Sequence, residues 1–164
     1  MLHLFWNKEK KINPILYIIV GLIVTIGVNL LFISFGADFS VKSFSEMEKA
    51  EFIVGILVFA PLFESIIFQL IIIEGFRALF MKLFKRKLDG IVLLISVVSF
   101  AATHYYSPVY FIVVLITGFW LSSCYMVVRK ERNSGTAFLY TVLFHFLYNL
   151  SALGISYLLT GSIC

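Results

Sequence analysis

Charged side chains are scarce in this sequence. They make up 13% of its 164 residues, against roughly 25% in an ordinary soluble domain, and a water-soluble globular fold is thereby excluded. Cysteine is scarcer still. Cys124 falls inside an apolar stretch and Cys164 is the final residue, a pairing that supports neither a disulfide framework nor a cysteine metal cluster. The zinc-protease signature His-Glu-x-x-His does not occur, and no second carboxylate lies near His104 or His145 in sequence to complete a serine or cysteine triad. The first apolar run is too long for a signal h-region and no small-x-small site closes it, so no cleavable signal peptide is expected.

What fills the chain instead is apolar. Hydrophobic residues reach 61% and the mean hydropathy is +1.01. These values specify an integral membrane protein: an all-α, polytopic transmembrane bundle in which residues 1–164 form a single membrane domain, with no room for a soluble domain beside it. The lipid bilayer is its first expected partner. The net charge of +4 is not a nucleic-acid signal, because the basic residues gather at the ends of apolar segments, where positive charge sets membrane orientation.

The run lengths predict about five spans, near residues 14–35, from 52 onward, 91–104, 109–128 and 137–159. Pro14 suits the first position of the first helix. Gly21 with Thr25, and Gly118 with Ser122, are spaced for close helix approach. Residues 36–51 hold Asp38, Glu46, Glu48 and Glu51 against Lys42 and Lys49, with Phe39, Phe44 and Phe52 available to lipid. That segment reads as a short interfacial helix, with an ordinary loop as the open alternative. Glu74 and Arg77, one turn apart, are expected to pair where the second span leaves the bilayer. The basic groups at 8–11, 82–87 and 129–132 fall on one side of a five-span chain. Positive charge stays inside, so the N-terminus is expected in the cytoplasm and the C-terminus outside.

Ionisable residues within these spans are the candidates for chemistry. A charged carboxylate near the bilayer centre costs about 2.5–3.5 kcal/mol, so Glu64 marks a functional position, or else a structural ion pair with another helix. Pro61, three residues earlier, weakens the backbone ladder and predicts that the helix bends or opens there. His104 ends the third span, with Phe100 one turn before it on the same face. His145 and Asn149 stand four apart on the fifth span and so share a face. They serve either as two donors aimed at one developing oxyanion or as a polar seam between helices. His3, near the basic N-terminus, reads as a solvated or interfacial histidine. Taken together, Glu64, His104, His145 and Asn149 describe a buried polar site suited to hydrolysis.

Three motifs sharpen this. Ala60-Pro61-Leu62-Phe63-Glu64-Ser65-Ile66-Ile67-Phe68-Gln69 resembles the first motif of the CAAX protease and bacteriocin-processing (CPBP, or Abi) family, commonly Glu-Glu-x-x-Phe-Arg after Ala-Pro. Phe100-Ala101-Ala102-Thr103-His104 resembles the second, Phe-x-x-x-His, and His145-Phe146-Leu147-Tyr148-Asn149 the third, His-x-x-x-Asn. The resemblance covers roughly residues 52–155. It implies an intramembrane glutamic endopeptidase acting on a peptide or membrane-associated protein. In that reading Glu64 activates water, His104 takes the second-motif role, and His145 with Asn149 stabilises the oxyanion. Phe68 and Phe100 are supporting motif residues.

Two positions depart from the motif. Ser65 stands where a second glutamate belongs and Gln69 where an arginine belongs. Losing one member of a buried ion pair costs about 3–5 kcal/mol, whereas replacing both avoids the stranded charge. The double change therefore predicts a neutral Ser65–Gln69 hydrogen bond in place of an ion pair. A non-catalytic immunity or binding relative, as in bacteriocin self-immunity, stays as the alternative function, and a proton- or solute-translocating relay as a third. No cofactor is expected. A metal held by Glu64, His104 and His145 is left open, although Asn149 is a poor zinc ligand.

Overall fold

The computed structural model describes residues 12–34 and 49–160. Within them the chain is helical and no strand occurs. Five helices follow in order: α1, Pro14–Ser34; α2, Ala50–Phe84; α3, Asp89–Thr103; α4, Pro108–Glu131; and α5, Ser134–Thr160. Four of them, all but α3, are long and apolar enough to cross a membrane. The interfacial helix expected over 36–51 lies almost wholly outside the described residues, as do both chain ends.

Local sequence sets the boundaries. The Asn13 side chain accepts a hydrogen bond from the Ile15 backbone N–H at 2.9 Å and caps α1 just ahead of Pro14. Ser107 does the same for α4, accepting from Tyr110 N–H at 3.1 Å, with Pro108 at the first helical position. Asn133 accepts from Thr136 N–H at 2.8 Å at the start of α5. At the end of α2, Lys85 turns left-handed with φ of 54° and stops the helix.

α2 and α3 depart from ordinary spans in opposite directions. α2 runs for 35 residues, whereas about 20 suffice to cross hydrocarbon. Its ladder is not uniform: residues Gly55–Phe59 and Ser65–Ile72 form wide π-helical turns around the α-helical stretch Ala60–Glu64. Pro61 thus leaves the helix continuous and is accompanied by a widened turn rather than a break. α3 has only 15 residues, or about 22 Å of rise. It stops at His104 because the Ser107–Pro108 step forces extended backbone before the next helix.

α4 is the axis of the bundle. Leu121, Cys124, Tyr125 and Val128 on it have no exposed surface, and it packs against α1, α3, α5 and the second wide turn of α2. Both small-residue pairs predicted for tight packing lie at close contacts. A methyl group on Gly21 would come within 2.5 Å of Phe144, and one on Gly118 within 2.9 Å of Phe100. The outward faces of α1 and α2 carry Ile15, Leu16, Ile23, Phe59, Phe63, Ile67 and Ile71, all exposed. Such surfaces suit lipid rather than water.

One end of the bundle collects the polar residues. The Ile12 backbone N–H donates to Glu131 Oε1 at 2.9 Å. Arg129 Nε donates to Glu74 Oε1 at 2.7 Å, and Tyr125 Oη donates to the same oxygen at 2.9 Å. Arg77 Nε lies 3.3 Å from Asp89 Oδ1. The expected Glu74–Arg77 pair is therefore replaced. Each residue turns to a different helix, Glu74 to Arg129 of α4 and Arg77 to Asp89 of α3, so both pairs tie α2 to its neighbours.

Candidate active site

Glu64 closes the α-helical stretch Ala60–Glu64 in the middle of α2. His104 caps the end of α3, and His145 sits mid-way along α5. These three converge. Glu64 Oε1 lies 3.5 Å from His104 Nε2, and Glu64 Oε2 lies 3.6 Å from His145 Nε2. One carboxylate thus faces two imidazoles, one on each oxygen. The pocket is graded in access: the Glu64 and His104 side chains keep 23% and 21% of their surface, His145 only 5%.

The His104 ring is held from behind. Its Nδ1 lies 2.8 Å from the Phe100 carbonyl, which only accepts, so Nδ1 carries the proton. Thr103 Oγ1 donates to the same carbonyl at 2.8 Å and stands 3.1 Å from Nδ1. In the neutral ring Nε2 is then an acceptor turned toward a carboxylate oxygen. Phe100 organises the rest of the floor: its ring lies 4.6 Å from His104, 5.9 Å from His145 and 5.3 Å from Phe68, centroid to centroid. Gly118 on α4 leaves room for that ring.

Beside the site runs a buried polar chain. Gln69 Nε2 donates to Ser122 Oγ at 3.4 Å, Ser122 and Ser96 share a hydrogen bond of 2.8 Å, and Ser96 Oγ donates to the Phe68 carbonyl at 2.8 Å. The final acceptor is a carbonyl, so the protons all point one way, from Gln69 to Phe68. The expected Ser65–Gln69 bond is absent. Both residues lie in the wide turn Ser65–Ile72, where a residue four places on is no longer stacked above its neighbour. Ser65 Oγ and Gln69 Oε1 are buried without a hydrogen-bond partner. Ser96 escaped the sequence reading and Ser122 was noticed only for its size. Two serines in each apolar run, Ser96 with Ser99 and Ser122 with Ser123, were the available signal.

Asn149 does not join the carboxylate and the imidazoles. Its Nδ2 donates to the Ile56 backbone carbonyl at 2.8 Å. The shared face with His145 predicted one target for both side chains, and the structure directs them to two.

Residues 47–151 match the family described as type II CAAX prenyl endopeptidase Rce1-like. The chain belongs to that family. The Rce1-like match spans all three converging residues and extends slightly further toward the N-terminus than the motifs did. It makes the chain a multi-pass membrane protein of an intramembrane protease family. Among curated proteins and among solved structures, none matches the chain. The described residues of this Rce1-like chain contain no group of three His, Cys, Asp or Glu side chains placed to hold a metal ion, Glu64 with its two histidines included.

Proposed function

We propose that the chain is an intramembrane endopeptidase in which Glu64 activates the water that hydrolyses a peptide bond. The observation that carries this reading is the carboxylate flanked at 3.5 and 3.6 Å by two imidazoles. Both gaps exceed a direct hydrogen bond. With the His104 ring neutral, Glu64 Oε1 and His104 Nε2 are two acceptors facing one another, and a molecule with two donor protons, a water, satisfies both.

The reaction balances on these groups. Glu64 takes one proton from the water as the oxygen attacks the peptide carbonyl carbon. The oxyanion of the tetrahedral intermediate is stabilised by a hydrogen bond from the His145 N–H, which keeps its proton. Glu64 then returns its proton to the departing amine nitrogen, the C–N bond breaks, and one water has been consumed. His104, fixed through Phe100, orients the attacking water. The substrate is a peptide or a membrane-associated protein.

Cleavage of candidate peptides by the wild-type chain, Glu64→Gln and His145→Ala in liposomes tests the proposal. Loss of the base should slow cleavage by about 10²–10⁴-fold. Cleavage by Glu64→Gln at the wild-type rate overturns it. Ser65 and Gln69, standing where the motif has glutamate and arginine, favour a second reading as a binding or immunity relative. Glu64-dependent capture of an uncut peptide by the wild-type chain would support that reading instead.

A further inference from the structure

We propose that Asn149 is a positioning residue, which replaces the backbone N–H that Pro61 lacks and so fixes the turn of α2 that aims Glu64. The inference rests on the proposed function only for its activity readout. Its structural basis is the register of α2. In the wide turn Gly55–Phe59, backbone bonds run from residue i+5 to residue i, as the Ala60 N–H donating to the Gly55 carbonyl shows. The next bond in that ladder joins residue 61 to the Ile56 carbonyl. Residue 61 is proline and has no N–H. The Ile56 carbonyl is the acceptor that Asn149 Nδ2 takes, at 2.8 Å.

The second wide turn is also held by a side chain from a different helix. Ser96 of α3 donates to the Phe68 carbonyl at 2.8 Å. Both donors come from helices that also carry a site histidine, α5 with His145 and α3 with His104. Each bond therefore locks α2 to the helix that presents an imidazole to Glu64. Pro61 itself is buried and stands three residues before the carboxylate. An error in this turn is carried directly into the Glu64 side chain.

A donor to an oxyanion and a donor to Ile56 make different predictions when Pro61 is changed. Pro61→Ala restores an N–H at position 61, able to bond Ile56 without help from Asn149. The test is a cycle of Asn149→Ala, Pro61→Ala and the double variant, each carrying His3→Gln so that only His104 and His145 report in imidazole NMR. In the wild-type background Asn149→Ala should slow peptide cleavage by about 10²-fold, the size of effect that misplacement produces, and should shift both imidazole signals. In the Pro61→Ala background the same substitution should cost less than about tenfold and leave the signals in place. Equal losses and equal shifts in both backgrounds overturn the proposal. If Asn149→Ala folds only when joined to Pro61→Ala, the same coupling is seen as stability and upholds it. If the wild-type chain cleaves nothing, the spectra alone decide the positioning role, and the missing cleavage counts only against the endopeptidase reading.

Discussion

Glu64 draws its importance from having two oxygens that look in two directions. Each faces a different histidine on a different helix, so the residue joins α2, α3 and α5 at one point. Its neighbours Ser65 and Gln69 differ in what they hold, although both are fully buried. Ser65 Oγ has no partner, and a buried hydroxyl left unpaired destabilises, so Ser65→Ala should leave thermal stability unchanged or raise it by about 1 kcal/mol. Gln69 anchors the chain through Ser122 and Ser96, and Gln69→Ala should cost about 2–4 kcal/mol through the cavity and the lost bond. Denaturation in detergent separates the two, and equal losses would contradict the assignment. Glu64, His104 and His145 were legible in the sequence because ionisable groups stand out in apolar runs. The partner of Asn149 was not. It depends on an i+5 ladder and a missing N–H, neither of which leaves a periodic mark among residues that are apolar on every side.

At the scale of elements, helix positions were legible and helix partners were not. Pro14 announced where α1 begins, and the Gly118–Ser122 pair announced a close crossing. Glu74 and Arg77 were misassigned because spacing sees only one helix at a time. Their partners, Arg129 and Asp89, lie far along the chain. The crossing of α3 and α4 carries its own prediction. A methyl group at position 118 would sit 2.9 Å from Phe100 Cδ1, and the ring it displaces supports both imidazoles. Gly118→Ala should therefore destabilise by about 1–3 kcal/mol. Cleavage should slow chiefly in kcat, since the site is disturbed from beneath. An effect on KM alone would place the damage elsewhere.

For the whole molecule, the gathering of Ile12, Glu74, Arg77, Asp89, Arg129 and Glu131 at one end sets a sidedness. That end also carries the Lys82–Lys87 and Arg129–Arg132 clusters, and the positive-inside rule expects it to face the cytoplasm. Lys87 is exposed, so Lys87→Cys in a chain lacking Cys124 and Cys164 should react with an impermeant maleimide in inverted vesicles and not in intact cells. The opposite labelling would reverse the orientation. The shortness of α3 has a further consequence at this scale. Its 15 residues give about 22 Å, while typical hydrocarbon is about 30 Å thick, and His104 marks where it falls short. Hydrophobic mismatch of that kind draws the headgroups inward beside the helix. Thinning of that kind falls on the side where the proposed hydrolytic site must meet water. Acyl-chain length is then a rate variable: cleavage should be fastest in short-chain phosphatidylcholine and fall as the chains lengthen, with substrate and pH held constant.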